Sequence, residues 1–186
     1  MRSTLRALLP IAGVLFAACD QSITAPPATW NSRGFASQTG VSGPIVTGSG
    51  DVIRDLGNGP ELTTFAYNAV RQGTGDVNGH FVYVFRAAEF SMEGDVTCAT
   101  VVGNVAWLGG VITTVKSDDP ADQSFVGTDV WWRVEDNGDG GSGTPDRTTS
   151  LLLTLPGDPT TAQSWCNDQP LRGVVRSIVA GNIVVH

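Results

Sequence analysis

An acidic, glycine-rich loop is the clearest candidate for chemistry in this 186-residue chain. The stretch EDNGDG alternates oxygen ligands with glycine, and Glu135, Asn137, Asp139 and Asp146 fall at positions one, three, five and twelve of the EF-hand calcium spacing. Glu at position one and Asp at position twelve depart from that motif, and the flanks have the pattern of strands. A calcium site and a solvated hairpin loop both fit this stretch. A second acidic loop, SDDPADQ, lacks such a spacing.

A tryptophan and an arginine beside this loop are candidates for ligand binding. In TDVWWRVE, Val130, Trp132 and Val134 alternate with Trp131 and Arg133. Because successive side chains of a strand point to opposite faces, the first set is expected in the core and the second on a charged, wet face. An exposed indole there could stack on a sugar ring or anchor a partner. The alternative is an indole covered by a neighbouring loop or lying across the sheet.

The residues that usually carry catalysis are sparse. The two histidines, His80 and His186, begin a strand and end the chain. Neither belongs to a nucleophile elbow, a metal-binding HExxH motif or a triad signature. Carboxylates brought together from distant strands could still form a hydrolase site, which sequence alone does not reveal. Binding is therefore favoured over catalysis.

Two cysteines in the body of the chain form an even pair. Cys98 and Cys166 lack CxxC spacing, and neither has a histidine or lysine close in sequence. In an exported protein such a pair favours a disulfide, and two buried free thiols are the alternative. The bridge would close a loop of about 70 residues and contribute about 4 kcal/mol on the chain-entropy model.

The amino-terminal segment has the features of an export signal. Arg2 and Arg6 precede an apolar run of about a dozen residues, which is the length of a signal-peptide core and not of a spanning helix. The sequence Phe-Ala-Ala-Cys at residues 16–19 resembles a bacterial lipobox, with Phe in place of Leu. The resemblance implies cleavage before Cys19, which would carry diacylglycerol and palmitate. A cleaved secreted protein and an uncleaved anchor with an ordinary Cys19 thiol are the alternatives.

Composition limits the partners of the mature chain. Loss of residues 1–18 removes two arginines and changes the formal net charge from −7 to −9. A surface this acidic repels nucleic acid and other polyanions. Residues 19–43 are rich in Ser, Thr, Gly, Ala and Pro, which predicts a flexible tether that starts at the lipidated cysteine. The membrane is then contacted through the lipid, and a glycan or an envelope protein is the expected partner.

From residue 44 onward the pattern is typical of antiparallel β-structure. Short runs of Val, Ile, Thr and aromatic residues alternate with Gly, Asn and Asp. Hairpin turns are predicted at Asn78-Gly79, Gly103-Asn104 and Gly181-Asn182. In HFVYVFR the aromatic face is expected to be core, as is that of Phe65, Tyr67 and Ala69. The predicted strands are 44–50, 61–70, 79–87, 89–93, 95–102, 105–115, 124–135, 148–155, 171–179 and 182–186.

Four stretches resemble a group of exported bacterial β domains that has no assigned activity. They are GPELTTFAYNAV, DVNGHFVYVFR, GTDVWWRVEDNGDG and the ending AGNIVVH. The departures are Asp139, where Glu is usual after DNG, and Val184, where Gln often precedes the last Val-His. The resemblance covers about residues 45–186 and implies export and a β fold without implying a ligand.

Together these patterns predict one all-β domain over residues 44–186, an antiparallel meander of about 8–10 strands that forms a barrel or a sandwich. The first and last strands are expected to pair, since closure removes exposed edges. The alternative is that the last strand pairs only with 171–179. The predicted function is an extracytoplasmic, lipid-anchored binding, structural or envelope-associated module. A carbohydrate-binding or calcium-stabilised adhesion-like domain is the second hypothesis, and a hydrolase is the third. The predicted location is the periplasmic or outer face of the cell envelope.

Cys19→Ala is expected to release the protein from the membrane fraction, because the lipid attachment point is lost. Labelling with radioactive palmitate, with and without globomycin, checks the modification directly. A variant that stays as firmly membrane-bound as the parent would show that something else holds the protein there.

Overall fold

The computed structural model describes residues 41–55, 59–138 and 143–186. The predicted signal peptide, Cys19 and most of the predicted tether lie outside these residues. Strand and helix bounds are β1 (Val41–Asp55), β2 (Pro60–Gln72), β3 (Val77–Phe85), β4 (Phe90–Val102), β5 (Val105–Lys116), β6 (Asp129–Glu135), β7 (Arg147–Thr149), β8 (Leu152–Leu153), α1 (Ala162–Asp168) and β9 (Val175–Val185). Two 3₁₀ turns lie at Arg86–Ala88 and Pro120–Phe125.

The strands form a closed antiparallel barrel, which confirms the predicted all-β fold. Each of β1 to β6 pairs with the next strand, β6 pairs with β7, and β7 pairs with β9. The pairing of β9 with β1 then completes a ring of eight strands. The short β8 is an additional strand that pairs with β6.

Pairing of the first and last strands confirms the predicted closure. Val46 lies opposite Val185, and Gly48 lies opposite Ile183. Strand β9 is continuous through Gly181, so the predicted turn at Gly181-Asn182 is wrong, and the predicted strands 171–179 and 182–186 are one element. The β1–β9 register shifts between Asp51, which pairs with Ala180, and Val52, which pairs with Ile178, so β9 has one extra residue there. The strand therefore bends where the sequence pattern predicted a reversal.

Of the other two predicted hairpin turns, one is confirmed and one is displaced. Gly103 has φ +61° in the tight connection between β4 and β5, a backbone conformation that glycine adopts without steric cost. The β2–β3 turn closes through a Gln72 N–H to Asp76 carbonyl hydrogen bond of 2.7 Å. Gly79 instead lies inside β3, opposite Ala69. The predicted Asn78-Gly79 turn is therefore wrong by a few residues.

Other strand bounds also differ from the sequence pattern. The predicted strands 89–93 and 95–102 are one strand, β4, which runs through Gly94. Predicted strand 124–135 begins only at Asp129, because a 3₁₀ turn precedes it. Predicted strand 148–155 is divided into β7 and β8. Strand β1 begins at Val41, earlier than the predicted domain start at residue 44.

An aromatic core fills the barrel and follows the predicted alternation. The Trp132 ring lies 5.4 Å from Phe81, 5.7 Å from Tyr67 and 6.0 Å from Tyr83, measured between ring centroids. A Cβ at Gly48 would lie 2.4 Å from the Tyr67 hydroxyl oxygen, so only glycine leaves room for that ring. Burial raises the pKa of Tyr67 and of Tyr83 far above the usual range, so both phenols stay neutral.

A short helix, which the sequence pattern did not predict, covers one outer face of the barrel. Thr161 and Ser164 form a capping box at the start of α1, and the helix packs on β4, β5 and β6. Cys166 lies in this helix and not in a loop, and its disulfide to Cys98 confirms the predicted bridge. Among the described residues, no helix has the length and apolar character needed to cross a membrane.

Deletion of residues 183–186 is expected to destabilise the barrel by about 3–5 kcal/mol, because it removes the buried Ile183 and leaves part of β1 without a ladder partner. Urea unfolding followed by tryptophan fluorescence measures the change. Deletion of the exposed His186 alone is the control and should leave the midpoint unchanged. A longer deletion that unfolds like the parent would contradict the role assigned to closure.

Candidate binding site at the barrel mouth

One end of the barrel opens into a cavity of about 290 Å³, which we call the mouth. It lies beside the end of β1 and the β3–β4 connection. The 3₁₀ turn between β5 and β6 and the residues in and just before β8 complete it. The lining residues are Arg54, Phe85, Ala88, Phe90, Met92, Asp122, Phe125, Leu151 and Leu153. Most of these side chains are apolar, and two are charged.

Three phenylalanine rings form the wall of the mouth. Phe85 and Phe90 stack with centroids 5.4 Å apart, and Phe125 meets Phe90 edge-on at 6.3 Å. Phe85 and Phe90 lie opposite each other at the end of the β3–β4 pairing, whereas Phe125 comes from the distant 3₁₀ turn. Met92 and Leu151 are buried beside them. The mouth is therefore a concave apolar surface of the kind that binds small molecules.

Arg54 of the mouth forms an ion pair with Glu61, on inward-facing positions of β1 and β2. Arg54 and Glu61 are paired in the strand register, and Arg54 Nε and Nη2 donate to Glu61 Oε2 at 3.2 and 2.9 Å. The guanidinium carbon lies 3.9 Å from the centroid of the Phe85 ring, which is a cation–π contact. Side-chain exposure is 13% for Arg54 and 17% for Glu61, so the pair is largely shielded from solvent.

A carboxylate from the second acidic loop completes the mouth. Asp122 lies on the 3₁₀ turn that Asp119 caps by accepting from the Ala121 N–H at 2.9 Å. Ser117 Oγ donates to Asp122 Oδ2, and the Asp119 N–H donates to Ser117 Oγ at 3.0 Å. Asp122 forms no salt bridge with any residue in the described part of the chain. The sequence marked this aspartate only as part of an acidic loop.

The predicted calcium loop lies at the opposite end, where its described side chains bind protein groups. Asp146 accepts from the Asn137 N–H at 2.8 Å and from the Ile183 N–H at 2.7 Å. Glu135 accepts from Arg147 at 3.1 Å and lies 3.4 Å from Arg133.

The remaining members of that loop add no metal cluster. Asn137 donates through Nδ2 to the Pro145 carbonyl, and Asp139 lies outside the described residues. Within residues 41–55, 59–138 and 143–186, no group of three or more His, Cys, Asp or Glu side chains could hold a metal ion. Calcium binding stays a prediction.

The prediction that Trp131 and Arg133 stand on a wet face is wrong. Each has a relative exposure of 6%. The centroid of the Trp131 ring lies 4.3 Å from that of Trp165 in α1, and the Arg172 guanidinium carbon lies 4.8 Å from the Trp131 centroid. The strand alternation itself was correct, because Trp132 is in the barrel and Trp131 is outside it. The outer face is covered by α1, which agrees with the alternative of a covered indole.

A larger groove of about 760 Å³ runs along the outer surface beside α1. Its walls are formed by residues of β3 and β4, by the β2–β3 turn and by the helix. The Arg71 guanidinium there donates to the Ala99 carbonyl at 2.7 Å, so part of its hydrogen-bonding capacity serves the fold. The mouth is smaller, but it combines a concave aromatic wall with charged groups, and we take it as the candidate site.

Comparison of the chain with family models, with curated proteins and with solved structures finds no match. The proposed function therefore depends on the geometry of the mouth.

Asp146→Asn is expected to lower the free energy of unfolding by about 2 kcal/mol, because the Asn137 and Ile183 N–H groups donate to different carboxylate oxygens and an amide replaces one of these with an NH₂ group. Urea unfolding measures the change. Asp168→Asn, at an exposed position near the end of α1, is the matched control and should leave stability nearly unchanged. Equal stability of the two variants would show that the Asp146 carboxylate is not needed as a double acceptor.

Proposed function

We propose that this protein is an exported, lipid-anchored barrel that binds a small, largely apolar ligand in its mouth. The observation that carries the proposal is the cavity walled by Phe85, Phe90 and Phe125. Ligand sites favour concave apolar surfaces with a few polar groups, and the mouths of β-barrels are frequent locations for them.

The size of the mouth limits the ligand. A volume of about 290 Å³ is just below the range for small-molecule pockets, which is roughly 300–1,000 Å³. Below the mouth, Phe65 and Tyr83 stack with centroids 6.1 Å apart and fill the barrel interior. A compact molecule therefore suits this site better than a long chain that would need to enter the barrel.

The chemistry of the lining supports binding more than turnover. Among the described lining residues, Asp122 is the one carboxylate, and none is a histidine, cysteine, serine or threonine. His80 lies on β3 with Nδ1 3.9 Å from Asp95, and these residues are not part of the mouth. A group pair suited to nucleophilic or general acid–base catalysis is thus not present in the described lining.

The lipid anchor and the cellular location rest on the sequence. The lipobox-like residues 16–19 and the apolar run before them support cleavage, attachment of lipid to Cys19 and residence on the periplasmic or outer face of the envelope. The net charge of −9 after cleavage supports a partner other than nucleic acid. The carbohydrate-binding alternative depended on an exposed Trp131 and loses that support because the ring is covered.

Ala88→Trp is expected to weaken binding of the neutral fluorescent probe N-phenyl-1-naphthylamine at least tenfold, because the new side chain would occupy the mouth that Ala88 lines. Fluorescence titration gives the Kd. Ala87→Trp is the matched control, since Ala87 is exposed in the same 3₁₀ turn but does not line the cavity.

Thermal melts of both variants would establish that they are folded. A parent protein that does not bind the probe, or two variants with equal affinity, would contradict the proposal that the mouth is a binding site for apolar molecules.

A further inference from the structure

We infer that the mouth selects a small organic cation, an amine or quaternary ammonium compound whose apolar substituents fill the cavity. This inference rests on the proposed function, since it names the class of ligand for the same site. Three features carry it, namely the aromatic wall, the placement of Arg54 and the charge balance of the mouth.

Aromatic rings attract positive charge because their faces carry a negative quadrupole potential. The chain already uses this attraction in the mouth, where the Arg54 guanidinium carbon lies 3.9 Å from the centroid of Phe85. Phe90 and Phe125 continue the same wall. Because Arg54 and Phe90 already contact the Phe85 ring, a bound ammonium group would meet Phe90 and Phe125, rings of the kind that recognise quaternary ammonium ligands in aromatic cages.

The charge balance of the mouth favours a cation over an anion. Arg54 is neutralised by Glu61, whose Oε2 accepts two hydrogen bonds from the guanidinium. Asp122 lines the same cavity and has no cationic partner among the described residues. The uncompensated charge of the lining is therefore negative. An anionic ligand would be repelled by Asp122, and a cation would be attracted.

The Asp122 carboxylate is held in place before a ligand arrives. Ser117 Oγ donates to Oδ2, and Ser117 is itself held by the Asp119 N–H. Oδ1 accepts no hydrogen bond from the described residues, which leaves it available to an ammonium group. Such preorganisation lowers the entropic cost of binding.

The size of the cavity restricts the cation to a compact one. The ligand suited to about 290 Å³ is an ammonium with a few rings or short alkyl groups, no larger than the neutral probe. A polyamine or a long-chain surfactant would extend out of the mouth.

Displacement of N-phenyl-1-naphthylamine by three isosteric compounds tests the inference. The compounds are benzyltrimethylammonium, its neutral isostere neopentylbenzene and the anion phenylmethanesulfonate. Each is titrated against the parent, Asp122→Asn and Asp118→Asn. Asp118 is an exposed residue of the same acidic loop that does not line the cavity, so its variant removes equal charge elsewhere.

The expected result is a loss of about tenfold in affinity for benzyltrimethylammonium in Asp122→Asn, because the negative charge that attracts the ammonium group is removed. Affinity for neopentylbenzene should change less than twofold, and that for phenylmethanesulfonate should rise. Asp118→Asn should resemble the parent with all three compounds. Asp122→Glu, which keeps the charge, should retain most of the affinity for the cation.

The cation inference is overturned if the probe binds in the mouth but Asp122→Asn changes cation and neutral affinities equally, or changes neither. The proposed function is contradicted by a different result: the probe does not bind the parent, or Ala88→Trp does not change probe binding. Unchanged probe affinity in Asp122→Asn would show that the variant mouth is intact. If Asp122→Asn is unfolded, Asp122→Glu is compared with the parent instead. Loss of cation binding in Asp122→Glu, with normal probe binding, overturns the inference.

Discussion

The pairing of β1 with β9 is the constraint on which the rest of the structure depends. It converts a meander into a ring, and only in a ring do the inward faces of all eight strands enclose one core. Arg54 and Glu61 lie at the end of this ring because β1 and β2 reach that point in register. Two acidic side chains support the closing strand from its other side. Strand β7 spans only Arg147–Thr149, and beyond it the Ile183 and Val185 N–H groups donate to Asp146 and Asp136.

Asp136 and Asp146 accept the N–H hydrogen bonds that a longer β7 would otherwise accept through its backbone. This role explains the acidic residues of a stretch that resembles a metal-binding loop. A buried strand N–H needs an acceptor, and a carboxylate that reaches in from a neighbouring connection supplies one. The outer face has a comparable arrangement. Trp165 Nε1 donates to the Trp132 carbonyl at 3.0 Å, and Trp107 Nε1 donates to the Pro170 carbonyl at 3.0 Å. These two bonds and the disulfide attach α1 and the segment after it to the barrel.

Sequence periodicity predicted the features that depend on alternation within one strand. The faces of Phe81, Tyr83 and Phe85 and of Trp132 were identified correctly, because two-residue alternation directly reflects which side is buried. The closure was predicted on a different ground, the removal of exposed sheet edges. It failed on glycine, since Gly79 and Gly181 were interpreted as turns although both lie in strands. It also failed to predict α1, because seven residues are too few for a helical period to be recognised. The mouth could not be predicted, since Asp122 and Phe125 line one cavity with Phe85 only through the tertiary fold. Single residues in the connections between strands have no sequence spacing from which their proximity in the fold can be predicted.

Closure by the last strand of the barrel also determines when the fold can be completed. Val46 and Val185 are far apart in sequence, so their pairing is a contact of very high sequence separation, of the kind that slows folding. During synthesis, β1 to β6 can form consecutive hairpins, but β1 keeps one unpaired edge until residues 178–185 are available. An open sheet of β1 to β6 would expose the aromatic face that the closed barrel buries. In a cell, the period between emergence of β1 and emergence of β9 is when this protein most needs protection from other chains.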